Sequence, residues 1–129
     1  VVSIDSYNYY GRDPHYLGER LLPYVKRGGM LCLSIPGMAR DCHENLPDCL
    51  LASWTPEQLD YMHDIAWWRA MIEPTTGVEI VSMRPMLCTN EAWADWLACD
   101  NEYAASDRAA VEAGALEYLN TIAIVLKKL

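Results

Sequence analysis

Two short apolar runs constrain this chain most. Val1-Val2-Ser3-Ile4 and Met30-Leu31-Cys32-Leu33-Ser34-Ile35 are aliphatic almost throughout, and each stops at turn-forming residues, Asp5-Ser6 and Pro36-Gly37. Runs of this kind mark interior strands covered on both faces. Between them, Tyr16, Leu17, Leu21, Leu22, Tyr24 and Val25 recur at helical spacing, from a start at Asp13-Pro14 to about Lys26. Asp13 fits the N-cap and Pro14 the first helical position. Pro23 should kink the helix, and Gly28-Gly29 ends it. Strand, helix, strand implies a right-handed crossover and a parallel pair.

The remainder continues the alternation. Residues 38 to 53 are a polar, cysteine-bearing loop or short helix. Thr55-Pro56-Glu57 opens a helix whose apolar face, Leu59, Met62, Ile65, Ala66 and Met71, runs to about Ile72. Val78 to Met83 is a third strand, followed by an aromatic stretch with Trp93 and Trp96. Ser106-Asp107 starts a further helix to about Tyr118, and Thr121 to Leu126 is a fourth strand. The expected class is α/β, in one domain spanning residues 1–129 with no internal repeat.

Composition excludes some functions. The net charge is -8, from 18 acidic against 10 basic residues, and no basic run offers the counterion-releasing stripe of a nucleic-acid binder. No apolar stretch approaches the roughly 20 residues needed to span a bilayer. Five cysteines at irregular spacing fit reduced thiols in a cytoplasm better than a disulfide framework. A chain whose first residues read as mid-strand is expected to have been cut from something longer.

Three segments together carry a family resemblance: VVSIDSYNYYG, YVKRGGMLCLSIPG, and the closing strand–helix–strand. They resemble the C-terminal half of class I S-adenosylmethionine-dependent methyltransferases, most of all bacterial small-molecule enzymes whose fourth strand reads like IDSYxYFG. Arg27 stands where that family more often has Pro. The resemblance covers essentially the whole chain. It implies a partial Rossmann-like sheet with parallel core strands, an antiparallel C-terminal edge pair and helices on both faces. It also implies S-adenosylmethionine as cofactor, with the methyl group passing by in-line displacement to a small-molecule acceptor, so that catalysis rests on proximity and orientation. The family cradles its cofactor on a Gly-rich turn, yet none of the seven glycines here forms a GxG. The cradle is therefore expected outside this chain, leaving the fragment inactive alone.

Open α/β sheets bind ligands beyond the carboxyl ends of their strands. Asp5, Ser6 and Tyr7 fall there, and the resemblance gives them the methionine end of the cofactor; capping the next loop is the plainer role for Asp5 and Ser6. Tyr9 and Tyr10 wall a substrate pocket or pack under the next helix. Pro36 and Arg40 follow the second strand and would line the other side. His63 is a candidate general base with Asp5, or a helix-surface His without function. Of Trp67 and Trp68, which diverge around the helix, at most one joins the core, and Trp67 is the one assigned to substrate. Cys42, His43 and Cys49 lack the paired spacing and fourth ligand of a structural zinc site, so no metal is expected. Two rivals remain. One is a non-catalytic module that self-associates through the edge of its first strand. The other is a small α/β hydrolase, disfavoured because no GxSxG elbow occurs.

Overall fold

A computed structural model describes all residues 1–129. Four strands form one sheet: β1 (Val2–Ile4), β2 (Met30–Met38), β3 (Val78–Pro85) and β4 (Leu119–Lys128), in the spatial order β1-β2-β4-β3. β1 and β2 are parallel, with Ser3 opposite Leu33. β4 is antiparallel to both neighbours, with Ile122 opposite Ile35 on one side and Pro85 on the other. The last strand thus inserts between β2 and β3. The antiparallel pair expected at the sheet edge is β4 with β3, and β3 is the outermost strand.

Burial alternates along β2 and β4. Leu31, Leu33, Ile35, Ile122, Ile124 and Leu126 lie on one face and are all but sealed. The opposite face carries Val2, Ile4, Cys32, Ser34, Ala123 and Val125 and stays partly open, with a shallow groove of about 220 Å³. The uninterrupted apolar runs promised two covered faces, but here the helices cover one of them completely. The cause is local: the alternate β2 positions are Met30, Cys32 and Ser34, which tolerate partial exposure where Leu and Ile do not.

The covered face packs against α4 (Ile65–Ile72) and the irregular segment 17–24, through Trp68, Ile72, Leu17, Leu22 and Val25. The expected helix over 13–26 is a π turn at Leu17–Leu21 followed by a 3-10 turn at Leu22–Tyr24, because Pro23 cannot continue an α-helical ladder. Gly28, at φ +74°, makes the turn into β2 and donates its N–H to the Lys128 carbonyl at 2.8 Å. The loop expected after β1 instead holds a helical turn, α1 (Tyr7–Tyr10).

The helix expected over 55–72 is two. Thr55 and Gln58 form a reciprocal capping box on α3 (Pro56–Leu59), and Asp64 caps α4 by accepting the Trp67 N–H at 2.9 Å. A capping residue in mid-sequence ends one helix and starts the next. A second core gathers Met38, Leu50, Trp54, Leu59, Ala110, Ala115 and Leu119 beneath α2 (Asp48–Leu51) and α6 (Glu102–Glu112). The aromatic stretch is α5 (Thr89–Leu97).

Candidate functional site

A cleft of about 730 Å³ opens where β1 and β2 end and β4 begins, floored by Asp5, Ser34, Pro36 and Asn120. Its position outside the carboxyl ends of the parallel strands is where α/β sheets bind ligands. Gly37 keeps the floor tight: a Cβ there would lie 2.3 Å from the Ile122 side chain.

The walls are aromatic. Trp54 stands at the end of the α2 segment, Tyr61 after α3, Trp93 and Trp96 on α5 and Tyr103 on α6. Asp107, half-buried on α6, sets two of these rings. Its carboxylate oxygens accept the indole N–H of Trp54 at 3.1 Å and of Trp96 at 3.0 Å. Two amide oxygens, Asn8 Oδ1 and Asn120 Oδ1, are buried at the cleft with no hydrogen-bond partner. No Lys, Arg or His lines it. The only charged side chains there are the carboxylates of Asp5 and Asp107.

Asp5 adopts φ 51°, a left-handed conformation that Asp tolerates better than most side chains. Burial by the cleft walls, then the nearby Asp107 carboxylate, push its carboxyl above the ordinary range. Asp5 remains solvent-accessible, so screening limits the effect. Burial and the Asp5 charge likewise push the Tyr9 phenol up; its ring packs on Tyr61 at 4.9 Å.

Of the residues singled out in the sequence, Asp5, Tyr9 and Pro36 line this cleft. The others lie elsewhere. Ser6 shares a hydrogen bond with Ser3 at 2.8 Å. Tyr7 is sealed in the core beside Trp68 and Tyr16, since α1 turns its ring inward. Tyr10 stacks on Tyr16 at the surface. Arg40 is an exposed loop residue. Trp68 is the fully buried partner, and Trp67 stacks on His63 with ring centroids 3.7 Å apart.

His63 departs most from expectation. It sits between α3 and α4 rather than on a helix surface, is buried, and lies outside the cleft lining. Its neighbours are His43 and Asp41: His43 Nδ1 is 2.9 Å from Asp41 Oδ1, and His63 Nδ1 is 3.5 Å from Asp41 Oδ2. Burial, and then the charge of His43, push the His63 imidazole down.

Sequence comparison finds no matching family model and no matching curated protein. Solved structures do match. A candidate sarcosine dimethylglycine methyltransferase from Galdieria sulphuraria superposes with a TM-score of 0.63 at 15% identity, over 98% of this chain and 51% of that one. A methyltransferase from Geobacter sulfurreducens, crystallised with S-adenosyl-L-homocysteine, gives 0.60 at 17% identity, over 99% and 57%. YjhP from E. coli gives 0.57 at 18%, over 88% and 55%. The fold is that of S-adenosylmethionine-dependent methyltransferases. This chain spans about half the length of those structures. The cleft's Trp54, Tyr61, Asp107, Asn8 and Asn120 escaped sequence reasoning, because no local pattern says that four separate segments converge on one strand end.

Proposed function

We propose that this chain supplies the acceptor side of an S-adenosylmethionine-dependent methyltransferase acting on a small molecule that bears an amine. One observation carries the proposal: a cleft at the strand ends walled by Trp and Tyr rings, whose only charged groups are the carboxylates of Asp5 and Asp107, with the unpartnered amide oxygens of Asn8 and Asn120 beside them. Aromatic faces and carboxylates attract ammonium groups, and unpartnered amide oxygens take up N–H donors. An anionic ligand without a cationic group would meet two like charges and no cationic side chain.

In the step so assigned, the bound ammonium first loses a proton, and the lone pair so freed forms the new N–CH3 bond. The S–CH3 bond breaks with its pair staying on sulfur; the proton given up beforehand goes to the Asp5 carboxylate or to water. A carboxyl held above its ordinary range is a better proton acceptor than a free one. The same field favours the sulfonium end of the donor, consistent with Asp5 and Ser6 standing near it; Tyr7 would act by fixing α1. Since no Gly-rich turn occurs here, the donor's cradle is assigned to sequence beyond these residues, and the activity to the longer protein. Five free cysteines, two of them exposed, support a reducing, cytoplasmic setting. No helix is long and apolar enough to cross a membrane.

The test is transfer of a tritiated methyl group by the longer protein to panels of amines, phenols and carboxylic acids. Label in the amines, reduced at least tenfold by Asp5→Asn, is expected. Label only in another class, or none, refutes the assignment. One observation favours a second role as a self-pairing module: the outer side of β1 is open, with Val2 and Ile4 exposed.

A further inference from the structure

We propose that Asp41, His43 and His63 form a binding site for one divalent transition-metal ion of the zinc type, clamping the loop after β2 to the α3–α4 junction. The ligating atoms of the three all lie within 4.8 Å of one another. Ligands about 2.0–2.2 Å from a tetrahedral ion stand roughly 3.3–3.6 Å apart. The carboxylate already meets that spacing on one side, at 3.5 Å from His63 Nδ1, and is slightly closer to His43 Nδ1 at 2.9 Å. The two imidazoles, now stacked with centroids 4.6 Å apart, would have to close by about an ångström and the His43 ring turn so that both lone pairs meet one ion.

Two independent features point to a cation. First, His43 Nε2 lies 2.9 Å from the Leu59 carbonyl, which can only accept, so Nε2 carries the hydrogen. In the neutral ring, Nδ1 then turns a lone pair toward a carboxylate oxygen. A cation must sit between two such facing acceptors, either a proton or a metal. A backbone carbonyl holding the far nitrogen is the usual outer support of a metal-bound histidine. Second, His63 is only 6% exposed, and neither ring nitrogen has a hydrogen-bond partner. A buried polar group left so costs about 1–3 kcal/mol. Yet the ring is firmly set, nearly coplanar with Trp67 at 3.7 Å and stacked with His43 at 4.6 Å. Its Nδ1 faces the Asp41 carboxylate at 3.5 Å, while its Nε2 lies 3.8 Å from Asp60 Oδ1.

The surrounding loop is braced for the role. The Asp41 N–H donates to Asp64 Oδ2 and the His43 N–H to Asp41 Oδ1, so the α4 cap and the candidate site share one network. Two imidazoles and one carboxylate suit a borderline ion, with a fourth position left to water on the solvent side of Asp41. No thiolate joins: Cys42 Sγ points to Met38 Sδ at 3.6 Å. The ion would thereby tie down the segment carrying Tyr61 and Met62, a wall of the cleft.

The experiment titrates the chelator-dialysed chain with zinc chloride by calorimetry and with cobalt chloride by visible spectroscopy. One ion per chain is expected, with cobalt d–d bands but no sulfur-to-metal charge-transfer band. Zinc should raise the thermal midpoint. His43→Gln and Asp41→Asn, both at partly exposed positions, should each weaken uptake about tenfold or more while circular dichroism stays native, and Cys42→Ser should bind as before. His63→Gln adds the third ligand if it folds; the other two variants decide the matter without it. Absence of saturable uptake overturns the proposal. So does uptake undiminished in His43→Gln and Asp41→Asn, or a charge-transfer band lost in Cys42→Ser.

Discussion

Replacing Asp107 by Asn changes almost no volume but splits a shared acceptor. In the native chain, one carboxylate oxygen takes the Trp54 indole N–H and the other takes that of Trp96. The amide keeps one acceptor oxygen, while its NH2 must face the second indole N–H, donor against donor. A hydrogen bond to a charged group contributes about 1.5–3 kcal/mol, and one remade to a neutral amide about 0.5–1.5 kcal/mol. Half-burial places the loss toward the low end, so Asp107→Asn should cost about 1–3 kcal/mol. Urea unfolding followed by tryptophan fluorescence measures this directly. In a Trp96→Phe background only one indole remains to be served, and the amide oxygen can serve it. There the same substitution should cost less than half as much. An equal cost in both backgrounds, or a cost below about 0.5 kcal/mol in the native one, would show that Asp107 does not organise the two rings.

Other expectations follow from the same geometry. The Asp5 carboxyl is raised in the fold above its ordinary 3.8, so its contribution is present below that pH and is lost as pH rises through the folded value. Asp5→Asn should therefore be more stable than the native chain at pH 7, with the difference closing below pH 3.8; a pH series of urea midpoints showing the reverse trend would contradict this. Trp68→Ala empties a site of zero exposure against Tyr7 and Ile72 and should cost about 3–5 kcal/mol in the same assay. Along β1, the Val1 carbonyl and the Asp5 N–H point to β2, so alternation aims the N–H of Val2 and Ile4 outward. If the chain pairs through this edge, light scattering after size exclusion should give a dimer or larger, reduced to monomer by Val2→Pro. A native monomer would end that proposal.

The strands were legible because their apolar runs end at Asp5-Ser6, Pro36-Gly37 and similar punctuation. The antiparallel closing pair was legible only through the family resemblance, and the strand order was not legible at all, since nothing local tells β4 to insert between β2 and β3. The helices failed where a capping residue or proline sat inside an apolar pattern. Asp64 divides what Leu59 to Met71 seemed to join, and Pro23 turns an α-helix into shorter turns. The site was half visible. Asp5 and Pro36 stand at or near strand ends and Tyr9 in the turn just after β1, positions readable from chain order. Tyr7 and Tyr10 share the same short segment but face other ways around α1, and no strand-based periodicity applies to a helical turn. His63 was misplaced for the same reason as the helix break beside it. Its partners Asp41 and His43 lie on a loop whose approach to the α3–α4 junction is a tertiary fact.

The indole N–H signals of Trp54 and Trp96 offer the most direct test of an amine-binding cleft. A nitrogen-15 correlation spectrum should be followed while trimethylamine hydrochloride, and separately sodium acetate, are added to the chain at neutral pH and constant ionic strength. Saturable shifts of both indole signals with the ammonium ion, and none with acetate, are the expected result. Indole signals that ignore the ammonium ion, or that respond to acetate instead, would contradict the assignment of this cleft to an amine acceptor.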